Sequence, residues 1–300
     1  METRTRIRLL LNLVVKNYSF AVSFFTIVIL LLVIVGLVLK SLPILKEYSI
    51  ADLLFSSNWK PLKGSFGFAP FIVSTIYVTL LSSFIAIPVC LLVAIFLSEY
   101  CGKHLRSLIV PFIDILAGLP SVIFGIWGII IIVPLIRDHL APLFGIQTTG
   151  YCLLTGGIVL AIMVFPIMIY VMYDVIRLVP IELREATLSL GATKWETIKL
   201  VVLRKAMPGI IAAIVLGVSR ALGETIAVLM VVGNVVAMPK SLFAPAYPIP
   251  ALIANNYGEM MSVPTYESAL MFSALLLLVV IMVFNVGAQR LLARIEKNNS

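Results

Sequence analysis

The sequence predicts an all-α membrane protein whose chain crosses a lipid bilayer six times. Three observations carry that expectation. The 300-residue chain is 61% hydrophobic and only 12% charged, against about a quarter charged in soluble domains. Its apolar residues come in long uninterrupted runs, and the mean hydropathy is +1.13. Its Lys and Arg residues collect in the breaks between those runs, as membrane orientation signals do.

The first run, about Phe20–Leu39, is 20 residues long, enough to span a hydrocarbon core of about 30 Å. Arg4, Arg6, Arg8 and Lys16 precede it, and Lys40-Ser41-Leu42-Pro43 follows. A secretory signal has a shorter core of roughly 7–15 residues and a small-residue cleavage site, so the run reads as a retained anchor. The second run is about Phe71–Leu97, with Pro88 inside. The third, about Leu108–Ile136, contains Asp114, Gly118 and Pro120. The fourth is about Thr155–Tyr173, with Pro166, and the fifth is about Pro208–Val236, with Arg220 and Glu224. The sixth is about Ser268–Gln289. Prolines within spans are tolerated where neighbouring helices re-satisfy the freed carbonyls, which favours a packed bundle.

With the N-terminus cytoplasmic, fifteen Lys and Arg residues fall on the inner side and six on the outer, Arg220 lying within a span. The positive-inside rule then places both termini in the cytoplasm. The net charge of +8 follows from that bias and argues against nucleic-acid binding, since no aqueous domain carries a basic stripe. Cys90, Cys101 and Cys152 form no CxxC pair, so neither a disulfide framework nor a zinc site is expected. His104 and His139 lie in separate loops. No cofactor is expected.

The stretch of about 174–206 is the substantial cytoplasmic connection, and its chemistry is explicit. Pro180 suits a first helical turn. Leu183, Ala186, Thr187 and Leu190 recur at helical spacing and make one mostly apolar face. Gly191 terminates that helix, and Thr193 with Glu196 forms a capping box that starts another. A short helix, a glycine bend and a second helix make an amphipathic knob suited to a groove on a partner. On the outer side, 237–267 carries five prolines and is expected not to form one helix.

Arg220 and Glu224 fall within the fifth run. A charge at a helix centre costs about 2.5–3.5 kcal/mol on insertion scales. At spacing i, i+4 the two can reach each other, and Ala213, Gly217, Arg220, Ala221, Glu224 and Ala227 share one arc. The expectation is that the pair faces the bundle interior or a water path. There Arg220 would meet an anion, its guanidinium matching an oxyanion bidentately, and Glu224 would hold Arg220 in the anion's absence. The alternative is a buried structural lock. Asp114 is expected to snorkel or cap near the cytoplasmic end of its span. Gly118, Gly125 and Gly128 are expected at close helix contacts.

The segment Glu185-Ala186-Thr187, three residues, Gly191, and a nine-residue gap to Val201-Val202-Leu203 resembles the EAA loop of ABC importer permeases. The family pattern has alanine where Thr187 stands and proline where Arg204 stands; Pro208 comes later. The resemblance implies that Glu185, Ala186 and Gly191 belong to a coupling element seated in an ATPase subunit. No GxxxxGK[ST] loop is present, so the chain is expected not to be an enzyme, ATP being hydrolysed by a partner. The stretch Arg220–Val228 with Gly233-Asn234 is similar to the phosphate-specific permeases, in particular the PstC-like ones. So are Gly67–Ile72, Ala94–Tyr100 and Leu116–Val122.

That resemblance implies a type I ABC importer permease fold in the cell (inner) membrane, with an anchor and outer loop over 1–66 and a permease core over 67–300. It also implies a heterodimer with a sister permease, two ATPase subunits, an extracytoplasmic phosphate-binding protein and alternating access driven by ATP. Two other classes remain open: an ATP-independent secondary transporter, for which broken half-helices would speak, and an intramembrane enzyme, for which no HExxH or GxSxG is present. An arginine in a pore indicates an anion; phosphate over sulfate, molybdate or phosphonate rests on the resemblance.

Overall fold

A computed structural model describes residues 2–258 and 264–299, with side chains over 14–258 and 264–294. Among the described residues, six helical rods are long and apolar enough to cross a membrane: Val14–Glu47, Ala69–Tyr100, Ser121–Leu143, Leu153–Arg177, Lys194–Gly223 and Pro264–Arg294. An even number of crossings puts both ends on one side, and the Lys/Arg bias makes that side the cytoplasm.

Helix α1 (Glu2–Glu47) enters from the cytoplasm and leans on the last helix, with none of its most apolar window buried. On the outer side come the short α2 (Ile50–Phe55) and a two-stranded hairpin, β1 (Trp59–Lys60) and β2 (Ser65–Phe66), paired Trp59 to Phe66. Helix α3 (Ala69–Ile95) returns inward and ends in a π-helical turn over Phe96–Tyr100. Next are α4 (Lys103–Ala117) and α5 (Ser121–Trp127). Helix α5 continues through π turns and the short α6 (Val133–Leu135) and α7 (Ala141–Leu143). Helix α8 (Leu153–Arg177) comes back to the cytoplasm. Then follow α9 (Ile181–Ser189), α10 (Lys194–Thr197) and α11 (Leu203–Gly223), the last two joined by a π turn, and a short α12 (Ile226–Val231). An outer helix α13 (Ile249–Asn256) precedes α14 (Pro264–Asn299).

Helix α8 is the hub. Of its apolar window 61% is buried, about twice the share of any other span, and α3, α4, α11 and α12 all pack on it. Small residues make the close approach possible. A Cβ at Gly217 would sit 2.5 Å from Met168, one at Gly128 2.7 Å from Val159, and one at Gly209 would overlap Val175 Cγ1. Gly125 meets Met230 in the same way, as expected for a close contact. Gly118 does not: its Cβ would meet nothing nearer than a carbonyl of its own helix at 3.5 Å. Valine has one strongly preferred χ1 in a helix, so Val175 cannot swing clear. Gly209→Ala is expected to cost about 1–3 kcal/mol by overpacking, read as a lower unfolding temperature of the purified protein in detergent.

Two spans differ from the sequence expectation. The third run is not one helix: α4 ends at Ala117 and the chain restarts at Ser121, with Pro120 extended (φ −59°, ψ 140°). A residue before proline is pushed out of the α region, and Gly118 weakens the helix just ahead of it. Asp114 therefore lies on α4, exposed and outside the 121–143 rod. The fifth run breaks at Glu224, whose backbone is extended (φ −70°, ψ 128°), between α11 and α12.

A second core closes the outer end. Trp59 lies edge-on to Phe71, Phe68, Phe66 and Tyr266, with ring centroids 5.0, 5.2, 5.7 and 5.9 Å away. The stretch after residue 237 is irregular, as its prolines require, and α13 buries Ala251 and Leu252 in this cluster. Its entry is stitched to α3: the Tyr247 amide donates to Ser74 Oγ (3.1 Å) and the Ile249 amide to Thr75 Oγ1 (2.9 Å).

Candidate coupling surface and membrane break

The cytoplasmic connection folds as helix, glycine bend and helix. Pro180 stands one residue ahead of the first helical residue. Gly191 takes φ +87°, a left-handed conformation, and nothing lies within 4 Å of where its Cβ would be. Both halves of the capping box form: the Glu196 amide donates to Thr193 Oγ1 (3.3 Å) and the Thr193 amide to Glu196 Oε2 (2.8 Å). The second helix is the start of the fifth rod, so the bend leads straight into the membrane. Because the obstacle at 191 is backbone conformation alone, Gly191→Val is expected to cost about 1–2 kcal/mol, with Gly191→Asn losing less. Amide hydrogen exchange across 186–196 would register the loss.

Helix α9 buries none of its residues. Leu183, Glu185, Ala186 and Leu190 are exposed, Leu190 at 88%, and Leu178, Ile181 and Trp195 extend the apolar surface. An isolated nine-residue helix is marginal in water, so polar contacts hold it. Arg184 donates from Nη2 to Glu99 Oε1 (2.9 Å) and to the Ile176 carbonyl (2.9 Å), and from Nη1 to the Val179 carbonyl. Lys194 Nζ donates to the Glu99 carbonyl (2.6 Å) and stands 4.4 Å over the Tyr100 ring. Arg106 donates to the carbonyls of Leu97, Ser98 and Cys101, closing the frayed end of α3. Sequence reasoning missed Glu99 and Arg184. Glu99 ends an apolar run and Arg184 begins the loop helix, but nothing in the spacing pairs residues 85 positions apart.

In the membrane the structure does not bring Arg220 and Glu224 together as an ion pair. The ion pairs among the described residues are Lys40–Glu267, Arg137–Asp138 and Arg184–Glu99. The reason is the break: i, i+4 contact needs a continuous helix, and Arg220 sits in the last turn of α11. The Glu224 carboxylate instead accepts from the Ala227 amide (3.3 Å) at the start of α12, where a negative charge complements the helix end. The small-residue stripe is buried as expected at Ala213, Gly217, Ala221 and Ala227, but it packs against α8 without the charges. Arg220 is exposed and makes no hydrogen bond or ion pair among the described residues. Gly217, one turn before it, meets Met168 and Val164 midway along α8, so Arg220 lies about level with the middle of the α8 span. A bare guanidinium there cannot rest against lipid without cost; this face requires a partner or a water-filled path.

Beyond α12 the chain turns through two left-handed residues, Gly233 (φ +95°) and Asn234 (φ +50°). Asn234 Nδ2 caps the helix at the Leu229 carbonyl (2.7 Å). A Cβ at Gly233 would press on the Tyr151 carbonyl at 2.8 Å. An outer cavity of about 870 Å³ opens here, edged by Gln147, Thr148, Asn234 and Ser241.

Known proteins resemble this chain in sequence and fold. The family described as "Binding-protein-dependent transport system inner membrane component" matches residues 86–298. The probable phosphate transport system permease protein PstC of Methanocaldococcus jannaschii is 37% identical over 280 residues, covering 88% of each chain. The phosphate transport system permease protein PstC of Pasteurella multocida is 38% identical, covering 81% of this chain and 80% of its own. Among solved structures, the inward-facing MetNI methionine ABC transporter superposes with a TM-score of 0.57 at 19% identity, over 74% of this chain and 93% of that one. At that identity the last likeness speaks for the fold alone, and it is the fold of an ABC importer permease. The chain belongs to the binding-protein-dependent transport system inner membrane component family, as a multi-pass translocation subunit related to the PstC permeases.

Proposed function

We propose that this chain is the membrane-spanning subunit of an ATP-driven importer of inorganic phosphate. The observation that carries the substrate is the likeness to PstC permeases at 37–38% identity over most of the chain; an unpaired arginine within a span is consistent with an anion. The working assembly contains a sister permease, two ATPase subunits and an extracytoplasmic phosphate-binding protein. In this reading residues 67–300 are the permease core and 1–66 an added anchor and outer loop; the family match, over 86–298, falls within the proposed core.

In this reading α9, with Glu185, Ala186 and the Gly191 bend, docks its exposed apolar surface in a groove of an ATPase subunit. Closure of the ATPases moves α9 and, through α10, the rod that carries Arg220. The sister permease covers the face bearing Arg220, and the guanidinium contacts phosphate as it passes. Glu224 belongs to the same path: it occupies the amide end of α12 and leaves Arg220 as the open anion contact.

The test is uptake of labelled phosphate into proteoliposomes holding the four components, with sulfate and molybdate as competitors. Uptake that requires ATP and resists both competitors is the expected outcome. Uptake blocked by sulfate or molybdate, or absent for phosphate, would keep the importer architecture and overturn the substrate.

A further inference from the structure

Helix α9 has an orientation but no core of its own. It buries no side chain, and hydrophobic packing therefore cannot set its angle to the bundle. Glu99, at the cytoplasmic end of α3, holds both sides of the glycine bend. Its carboxylate takes Arg184, on α9 before the bend, at 2.9 Å, and its carbonyl takes Lys194, the first residue of α10 after it, at 2.6 Å. The ion pair is largely withdrawn from water, with side-chain exposures of 10% for Glu99 and 19% for Arg184. Exposed ion pairs contribute little, but breaking a buried one leaves an uncompensated charge and is strongly unfavourable. Arg184 is also tied to the Ile176 carbonyl in the last turn of α8 and the Val179 carbonyl just beyond it, and its Nε is buried without an acceptor among the described residues. Without Glu99 its charge would face two carbonyls and no anion.

From this geometry we infer that Glu99 is a positioning residue: it locks the coupling helix to α3, so that movement of α9 reaches α3 and the fifth rod together. The inference rests on α9 being the ATPase-docking element. Helix α3 is one of the principal partners of the central helix α8. A rigid link at its cytoplasmic end converts displacement of α9 into a shift of packed spans. A loose link would let α9 move alone, with ATP hydrolysed and no transport.

The experiment uses the reconstituted importer and reads two quantities, ATP hydrolysed and phosphate taken up. Glu99→Gln keeps the shape and removes the charge. It is expected to leave assembly and basal hydrolysis in place and to lower phosphate moved per ATP about tenfold, within the usual range of coupling between sites. Lys194→Met removes an exposed side chain that cannot threaten folding and is expected to lower the same ratio about two- to threefold, the scale of one hydrogen bond. Arg184→Ala combined with Glu99→Gln should lose no more than the worse single variant, since both act through one contact. An unchanged ratio in Glu99→Gln and Lys194→Met, or losses that simply multiply in the double variant, would overturn the inference. A Leu188→Cys chain tested for cross-linking to the ATPase subunit separates the two readings. Cross-linking with an unchanged ratio sinks the role of Glu99 alone, and absence of cross-linking sinks the docking reading and this inference with it.

Discussion

Arg220→Ala is expected to cut ATP-dependent phosphate uptake by about 10- to 100-fold, the value of one or two charge-assisted hydrogen bonds, while the importer assembles normally. The structure gives the variant an unusual signature. Arg220 has no partner among the described residues, so removing it leaves no orphaned carboxylate or carbonyl, and Glu224 keeps its bond to the Ala227 amide. Removing a charge from a span also eases insertion, by about 2.5–3.5 kcal/mol at a helix centre. Assembly and thermal stability should therefore be equal to the parent or better. A structural lock would behave in the opposite way, losing stability before transport. Arg220→Lys keeps the charge and loses the planar fork, and should fall between the two. Initial uptake rates at matched amounts of reconstituted complex decide the matter: a normal rate in Arg220→Ala removes the anion-contact role.

Trp59→Ala should loosen the outer end without dissolving the bundle. Four aromatic rings meet the indole edge-on, and truncating a large aromatic in such a cluster costs about 3 kcal/mol. The cluster gathers residues from α1, the hairpin, α3, α13 and α14, whereas the helices around α8 form a separate core. The loss should thus be local. Limited trypsin digestion from the outer side is the measurement. Cleavage after Lys63, which precedes Gly64, should become at least about tenfold faster, while the bond after Lys60 stays protected by Pro61. Trp59→Phe should retain most of the protection. Equal digestion of parent and Trp59→Ala chains would show that the hairpin is held by the β1–β2 pairing and Tyr48, whose hydroxyl donates to the Gly64 carbonyl at 2.6 Å.

Much of the cytoplasmic loop was legible because its signals are local. Pro180, Gly191 and the Thr193–Glu196 box each act within a few residues; the glycine bend and the box formed as read, and Pro180 stands one residue ahead of the helix it was expected to begin. The breaks at Gly118–Pro120 and at Glu224 were less legible. Proline also occurs inside α1, α3, α4, α8 and α11 without ending them, so a proline in a span does not by itself decide between a kink and a break. At Pro120 the backbone turns extended and the helix restarts at Ser121, whereas Pro208, with Gly209 directly after it, lies inside an unbroken α11, so a glycine beside the proline does not decide the outcome either. At Glu224 a carboxylate cap on α12 competes with the i, i+4 pair that a continuous helix would have allowed. The breaks also show why discontinuous spans do not point to a secondary transporter here: they occur within a chain whose family and fold are those of importer permeases.

By itself the sequence determined the solvent, the number of crossings, the orientation and the hinge of the cytoplasmic loop. Hydrophobic length, Lys/Arg bias and capping chemistry are properties of short segments, and lipid enforces them strictly because an unpaired backbone group has no water to turn to. Only the tertiary structure decided that α8 is the hub, that Trp59 gathers the outer loops, and that Arg220 stands apart from Glu224. It also decided that Glu99 clasps Arg184. Those outcomes depend on which surfaces meet across tens or hundreds of residues. Within a membrane, where apolar faces look alike, small-residue fit and single polar contacts choose among them.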